Sequence, residues 1–345
     1  MERIQDIFIG ALVAFDVSSF QNSGISQVVI KVNDTVIQES MFEGATNLQS
    51  VGFAGKVKEI KASAFRGCTG LVTFSIGPGG NGNIVIGENA FADCSNMIAF
   101  HAPSDTISIA NNTFNGCTKL YDLFIGAITE IGEQSFANTA VTQVILKGDN
   151  FVVPQSAFEN CSNLLSVVFT NTLSEIKPSA FKNCASLPSF HFQTNTINSF
   201  PIGAFAFYGC TNLESFRVQL NTTVVGESAF EGCMSLTDIS LGPIVKIEKR
   251  AFAKSQITQL TLSGDKLVIP TSTFEGCSKL ITVGFMGTVA EIQENAFKFC
   301  SSLQSLVMNT GATIVIGDTA FYACRSLKQL HMPQGELTVG ANAFF

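Results

Sequence analysis

The sequence predicts a solenoid, a chain wound into short stacked coils whose equivalent strands pair in parallel. Three observations lead to it. A phenylalanine followed three residues later by cysteine or a small substitute recurs at intervals of 22 to 26 residues. After each copy comes a short stretch of alternating apolar and polar residues, the pattern of a strand with one buried face. No segment sustains an apolar period of 3.6 over ten residues, so long helices are not expected.

The anchor motif comes first. It reads "SAFRGC" (63–68), "NAFADC" (89–94), "NTFNGC" (112–117), "SAFENC" (156–161), "SAFKNC" (179–184), "AFYGC" (206–210), "SAFEGC" (228–233), "STFEGC" (272–277), "NAFKFC" (295–300) and "TAFYAC" (319–324). These copies align Phe65, Phe91, Phe114, Phe158, Phe181, Phe207, Phe230, Phe274, Phe297 and Phe321 in one column. Cys68, Cys94, Cys117, Cys161, Cys184, Cys210, Cys233, Cys277, Cys300 and Cys324 form a second. Copies without the cysteine sit at Phe20, Phe42, Phe136, Phe252 and Phe344, giving fifteen anchors. A longer period lies above the first, because Phe20, Phe136 and Phe252 are 116 residues apart. "FIGALVAFDVSSF" (8–20) aligns on "FIGAITEIGEQSF" (124–136), and "AVTQVILKGDNFVVPQSAF" (140–158) on "QITQLTLSGDKLVIPTSTF" (256–274). A five-repeat block duplicated in tandem explains both alignments. It places the blocks at about 20–135, 136–251 and 252–345 of a single solenoid covering 1–345.

The strand stretch comes next, as in "LVTFSI" (71–76), "LLSVVF" (164–169) and "LTDISL" (236–241). Another apolar residue, usually Ile or Val, stands five before each anchor Phe, with Gly and polar residues between the two stretches. One such unit cannot bury its own apolar face, but stacked units form continuous ladders. At about 4.8 Å per strand, fifteen coils give an arc on the order of 70 Å.

The unit I-x-x-x-A-F-x-x-C-x-x-L-x-x-V-x-I resembles the BspA-like leucine-rich repeats, also called the Treponema pallidum type. The resemblance covers essentially the whole chain. It implies a leucine-rich-repeat solenoid: a curved right-handed coil with a parallel β-sheet on the concave face, and short turns or single helical turns elsewhere. Members are typically surface or secreted proteins associated with adhesion, and the resemblance carries no catalytic residues. Proline is scarcer after the strand than in many members, with Pro78, Pro103, Pro243 and Pro333 remaining. "MERIQDIFIG" aligns on "CTKLYDLFIG" (117–126), and "GANAFF" stops in mid-unit. These ends lack the polar caps of a solenoid, so the expectation is a fragment of a longer array or ends covered by a partner, with self-association through them an option.

Composition narrows the function classes. Of 345 residues 46 % are apolar, enough for a large core, and only 14 % are charged, against roughly 25 % in an average soluble protein. The net charge is −7 and no Lys/Arg cluster occurs, which argues against nucleic acid and anionic membrane as partners. No apolar run reaches the roughly 18 residues of a membrane span. The start, "MERIQDIFIGALVAFD", is a poor signal peptide. It fits a cytosolic chain, or a segment lacking its targeting signals, while the resemblance points to a cell surface or secretion.

The candidate chemistry is thin. All ten cysteines share one register, and the same slot holds Ser23, Ala45, Thr139 and Ser255. A slot that accepts Ala asks for a small buried side chain, so free thiols acting as compact hydrophobes are the preferred reading. The alternatives are disulfides between adjacent coils or a reactive thiol. The spacing lacks the paired C-x₂-C of a structural zinc site. The Phe column reads as core. His101, His191 and His331 share a register facing the concave surface, four and six coils apart, too far for one metal or a catalytic pair. Their readings are solvated surface or partner contact. "GPGGNGN" (77–83) lacks the Lys and helix of a phosphate loop and reads as a loop bulge. Sequons at Asn33, Asn111, Asn160 and Asn221 are near chance for this composition. No cofactor is expected.

The functional expectation rests on the concave face. Phe124, Ile145 and Val168 occupy its central column on three consecutive coils, with Tyr121 and Leu165 nearby. Asp122 lies in the neighbouring column, while His191 and Arg217 follow in the central one. Apolar residues there favour strands in any case. The functional alternative is a docking patch for a protein or extended peptide. The reading is a non-enzymatic protein-binding domain. A structural or self-associating scaffold element, with an intracellular setting as an option, is the alternative.

Overall fold

The computed structural model describes residues 6–9, 16–31, 33–53, 55–76, 83–193, 200–218, 223–308, 313–331 and 336–345. The chain forms two compact units, Met1–Gly148 with Pro154–Thr170, and Asp149–Val153 with Asn171–Phe345. Each unit is a parallel β-solenoid. Among the described residues every coil is built from strands and turns, with no helix.

The anchor motif explains the missing helical turn. In every coil the residue two before the anchor Phe has a positive φ, from 51° at Ser40 and Ser228 to 60° at Ser18. The residue two after it is also left-handed, as at Gly67 (68°), Asp93 (61°) and Asn160 (62°). A right-handed helix cannot pass through two left-handed residues four apart. The motif therefore folds as linked tight turns, with Cys68 N–H donating to Phe65 O at 3.1 Å and Leu71 N–H to Cys68 O at 3.0 Å. Left-handed backbone favours Gly, Asn and Asp, which accounts for the residue before the cysteine in "RGC", "ADC" and "ENC". The turns also bond from coil to coil: Ser63, Phe65 and Gly67 N–H donate to Glu88, Ala90 and Ala92 O at 2.7–2.8 Å. The corner of each coil is thus a hydrogen-bonded ladder in its own right, which satisfies backbone groups that burial would otherwise leave unpaired.

Two strand ladders complete each coil. In the first unit, Val29, Gly52, Ser75, His101 and Phe124 pair in register along the front ladder. Ile37, Ile60, Ile86, Ile109 and Ile131 pair along a second ladder. The sequence marks this second column as apolar but not as strand. In the second unit, front strands Ser189–His191, Ser215–Arg217 and Asp238–Ser240 form one sheet. Strands Gln259–Ser263, Thr282–Met286, Ser305–Val307 and Gln329–His331 continue the face.

Both units share one irregularity. In most coils the last inward residue of the front strand lies at least seven residues before the Ile or Val of the second ladder, as from Phe53 to Ile60. From Ile125 to Ile131, and from Leu241 to Ile247, it is six. The short link draws the second stretch toward the front. Ile128 then pairs with Leu146 of the next front strand, and Ile244 pairs with Leu262. These two pairs are 116 residues apart, as are the left-handed residues Asp34, Asn150 and Lys266.

The core is a stack of rings. In the first unit the anchors from Phe20 to Phe158 stack with successive centroids 5.1–5.6 Å apart. In the second, those from Phe181 to Phe344 stack at 5.1–5.9 Å. Phe74, Phe100, Phe190 and Phe216 on front strands meet this column edge-on. Each such pair contributes about 1 kcal/mol beyond its area burial.

Two stability tests follow from the turns. Ala323 is left-handed, with φ 58°, in a slot that most coils fill with Gly or Asn. Ala323→Gly should stabilise the fold by about 1 kcal/mol, read as a higher urea midpoint. Glu231, buried at a turn, accepts from Ser228 Oγ at 2.8 Å and Arg250 Nε at 2.9 Å. Burial opposes its ionisation, but the hydrogen bonds from Arg250 and Ser228 and the Arg250 charge outweigh it and hold the carboxyl below its usual range. A depressed carboxylate adds stability above its unfolded pKa and loses it as pH falls through the folded one. Glu231→Gln should therefore cost about 2 kcal/mol at neutral pH, and the gap from wild type should close in urea titrations at successively lower pH.

Candidate binding surface

The cysteine column lies inside the stack. Thiols of this column donate to the carbonyl oxygen of the anchor Phe one coil earlier, at 2.9–3.2 Å, as from Cys68 Sγ to Phe42 O and from Cys277 Sγ to Phe252 O. The slot therefore offers an acceptor as well as a small space, a role the alignment did not reveal because Ala45 fills it without a donor. All ten cysteines are free thiols, and all but Cys324 are buried. Where the slot holds Thr139, its hydroxyl turns to Phe136 O of its own coil at 2.8 Å. Among the described residues, no group of three or more His, Cys, Asp or Glu is placed to hold a metal ion.

The front sheet of the first unit presents the apolar cluster. Alternation along each strand turns Val28, Val51, Phe74 and Phe100 inward, where they are buried, and turns their neighbours outward. Tyr121, Phe124, Ile145, Leu165 and Val168 are 39–62 % exposed. Ile145 and Val168 are register partners. Phe124 pairs with His101, whose ring meets it edge-on at 6.0 Å. His101 Nε2 in turn lies 2.9 Å from Asp122 Oδ2. Phe124 is not paired to Ile145, because that junction is bridged by Ile128 and Leu146. In the second unit His191 and Arg217 are register partners. His191 Nε2 lies 3.0 Å from Ser215 Oγ, and Arg217 Nε donates to Asp238 Oδ2 at 2.7 Å. His331 pairs with Val307. Asp238 is a partner that sequence reasoning missed.

The short links open the front face. In the second unit a cavity of about 350 Å³ lies between strands Asp238–Ser240 and Gln259–Ser263. Its rim carries Ser240, Thr261 and Gly284. The residues 116 positions earlier are Phe124, Ile145 and Val168. The apolar cluster therefore sits on the first copy of the same junction, and Leu123 and Ile239, inward residues of the two copies, are only half-buried. The signal for this junction is the six-residue link, legible in the sequence only once the second ladder is known to be a strand. The "GPGGNGN" bulge falls, apart from Asn83, outside the described residues, as do Met1–Gln5 and the sequon residue Asn221. Asn33, Asn111 and Asn160 are exposed.

Comparison with known proteins matches the chain to the BspA type leucine rich repeat region (6 copies) over residues 7–82, 84–205, 200–315 and 309–345. The chain belongs to this family. Among solved structures, this BspA-type chain is similar to a leucine-rich repeat protein from Bacteroides ovatus. Identity is 18 %, the TM-score is 0.52, and the match covers 92 % of this chain and 84 % of that one. A leucine rich cell surface protein from Faecalibacterium prausnitzii matches at 19 % identity and TM-score 0.36, over 97 % and 88 % of the two chains. The pneumococcal vaccine antigen PcpA matches at 13 % and 0.41, over 91 % and 79 %. The first likeness shows the leucine-rich-repeat fold. A comparison with curated proteins found no match. No helix among the described residues is long and apolar enough to cross a membrane.

Burial pushes the Cys161 thiol up to about 11, and those of Cys210, Cys277 and Cys324 to about 12. Only the thiolate reacts. An aromatic disulfide reagent at pH 8 should therefore modify the native thiols only slowly, the partly exposed Cys324 first, and should count ten after denaturation.

Proposed function

We propose that this chain is a non-enzymatic protein-binding repeat domain, displayed at a cell surface or secreted, that docks a protein through the front sheet of its first unit. The exposed cluster of Tyr121, Phe124, Ile145, Leu165 and Val168 carries the reading. Apolar side chains gathered on a face that also carries Ser75, His101, Asp122, Gln143 and Ser166 are the composition of an interface centre with a polar rim. The adhesive, surface-exposed setting is supported by the repeat family. Nothing on the face supports catalysis, which needs an acid, base or nucleophile converging on one reacting atom. We also infer that the array grew by tandem duplication of a 116-residue block, a reading supported by the repeated short links and left-handed residues.

The test changes Phe124, Ile145 and Val168 together to Asp. All three side chains point outward, so circular dichroism and the urea midpoint should stay close to wild type. Binding to a panel of immobilised extracellular proteins should fall at least about tenfold, the loss of two or more anchor contacts. Unchanged binding by the folded variant would overturn the reading. Concentration-dependent light scattering abolished by the same change would instead make the occupant a second copy.

A further inference from the structure

The junction in the second unit is a different site from the apolar cluster, and its chemistry points to a different ligand. We propose that the cavity between Asp238–Ser240 and Gln259–Ser263 binds an uncharged, extended peptide segment, which adds as a short strand to the front sheet. The inference goes beyond the docking patch of the first unit and does not depend on it.

The main chain supplies the first reason. Strand Asp238–Ser240 pairs with Ser215–Arg217 on one side and, among the described strands, with none on the other. Strand Gln259–Ser263 is fully paired with Thr282–Met286. Toward the cavity it is bridged only where Leu262 meets Ile244. Residues 259–261 therefore also present an edge without a strand partner. An open strand edge is a template for another chain, and β-strand addition is a recurrent mode of peptide recognition. Here two edges face one slot. Three residues of strand are about 10 Å long, so the segment recognised is short.

The lining supplies the second reason. Ser240, Gln259, Thr261 and Thr282 offer hydroxyls and an amide without charge, above the apolar Ile239 and Leu260. No charged side chain lines the cavity, and the nearby Arg217 and Asp238 neutralise each other. This excludes a phosphate or carboxylate as the recognised group. No aromatic ring lines it either, so a sugar would find no stacking platform. What remains is the neutral main chain of a peptide with small or apolar side chains. Its volume, about 350 Å³, lies at the small end of ligand sites.

The third reason is that the opening is a matter of side chains as well as link length. A β-carbon placed on Gly284 would come to 3.3 Å from Thr261 Oγ1. In the first unit the same three positions hold Phe124, Ile145 and Val168. The duplicated junction thus exists in a bulky apolar version and an open polar one.

That correspondence provides the test. Ser240→Phe, Thr261→Ile and Gly284→Val transplant the first junction's residues onto the second. A hexapeptide library with capped ends and no charged residues is screened against the wild type and the graft, beside a glycan array. The expected result is peptides that bind wild type at least about tenfold tighter than the graft, with slowed amide exchange at residues 238–240 and 259–261 on binding. Gly284→Val alone serves if the triple change unfolds the unit. The exchange measurement needs only wild-type protein. Absence of enriched peptides, peptide binding that survives in the folded graft, unprotected edges in the complex, or a glycan lost with the graft would each overturn the proposal. Aspartate at Phe124, Ile145 and Val168 should leave this peptide binding unchanged, which separates the two sites.

Discussion

The structure depends on holding a phenylalanine ring at the same place in every coil, about 5 Å above the last. Strand spacing of about 4.8 Å sets the rise, and a flat ring stacked slightly offset fills that rise. The two left-handed residues that bracket the anchor make this possible. They turn the chain through a corner without a helix, whose diameter of about 10 Å is roughly twice the rise between strands. They also leave alternate N–H groups free to bond the next coil, at Ser63, Phe65 and Gly67 in one corner. The cysteine three residues on closes the corner from inside by donating to the previous anchor's carbonyl. Ring stack, turn ladder and thiol column are therefore one device, and the strands are carried by it.

Such a device tolerates little change in the corner but much in the links between strands. A link one residue shorter leaves the anchors in register, since Phe114 and Phe136 still stack at 5.4 Å and Phe230 and Phe252 at 5.3 Å. The strain goes to the sheets, which exchange partners at Ile128–Leu146 and Ile244–Leu262. The front face opens there because its backbone is the part not pinned by the core. Function on a repeat scaffold tends to gather where regularity fails, in segments that the core does not pin.

Much of the fold was legible because its signals are periodic. The spacing of the anchor Phe residues and the alternation in "LVTFSI" each repeat often enough to override local ambiguity. The second ladder was harder to see. Its strands are three or four residues long, as at Thr35–Ile37 and Val57–Ile60, too short for alternation to stand out. The left-handed corners were written plainly in the Ser, Asn and Gly of the motif, yet Phe205 and Arg250 fill the same backbone slot, which hides the rule from composition alone. On the face, exposure of Phe124 and Val168 could be read from their column. The break between Phe124 and Ile145 could not, because it arises from a partner exchange in which Ile128, four positions beyond Phe124, meets Leu146.

The two copies of the junction show how such an array acquires distinct surfaces. The two junctions share their link length and their bridging pair, Ile128 with Leu146 and Ile244 with Leu262. The outward residues are free of the core and can diverge at low cost to stability. Phe124, Ile145 and Val168 form an exposed apolar face, while Ser240, Thr261 and Gly284 line a slot with open main-chain edges. The first gains most from burying apolar area against a broad surface. The second gains from satisfying backbone groups with a chain of matching periodicity. One kind of irregularity can therefore present two kinds of surface without altering the column of rings beneath it.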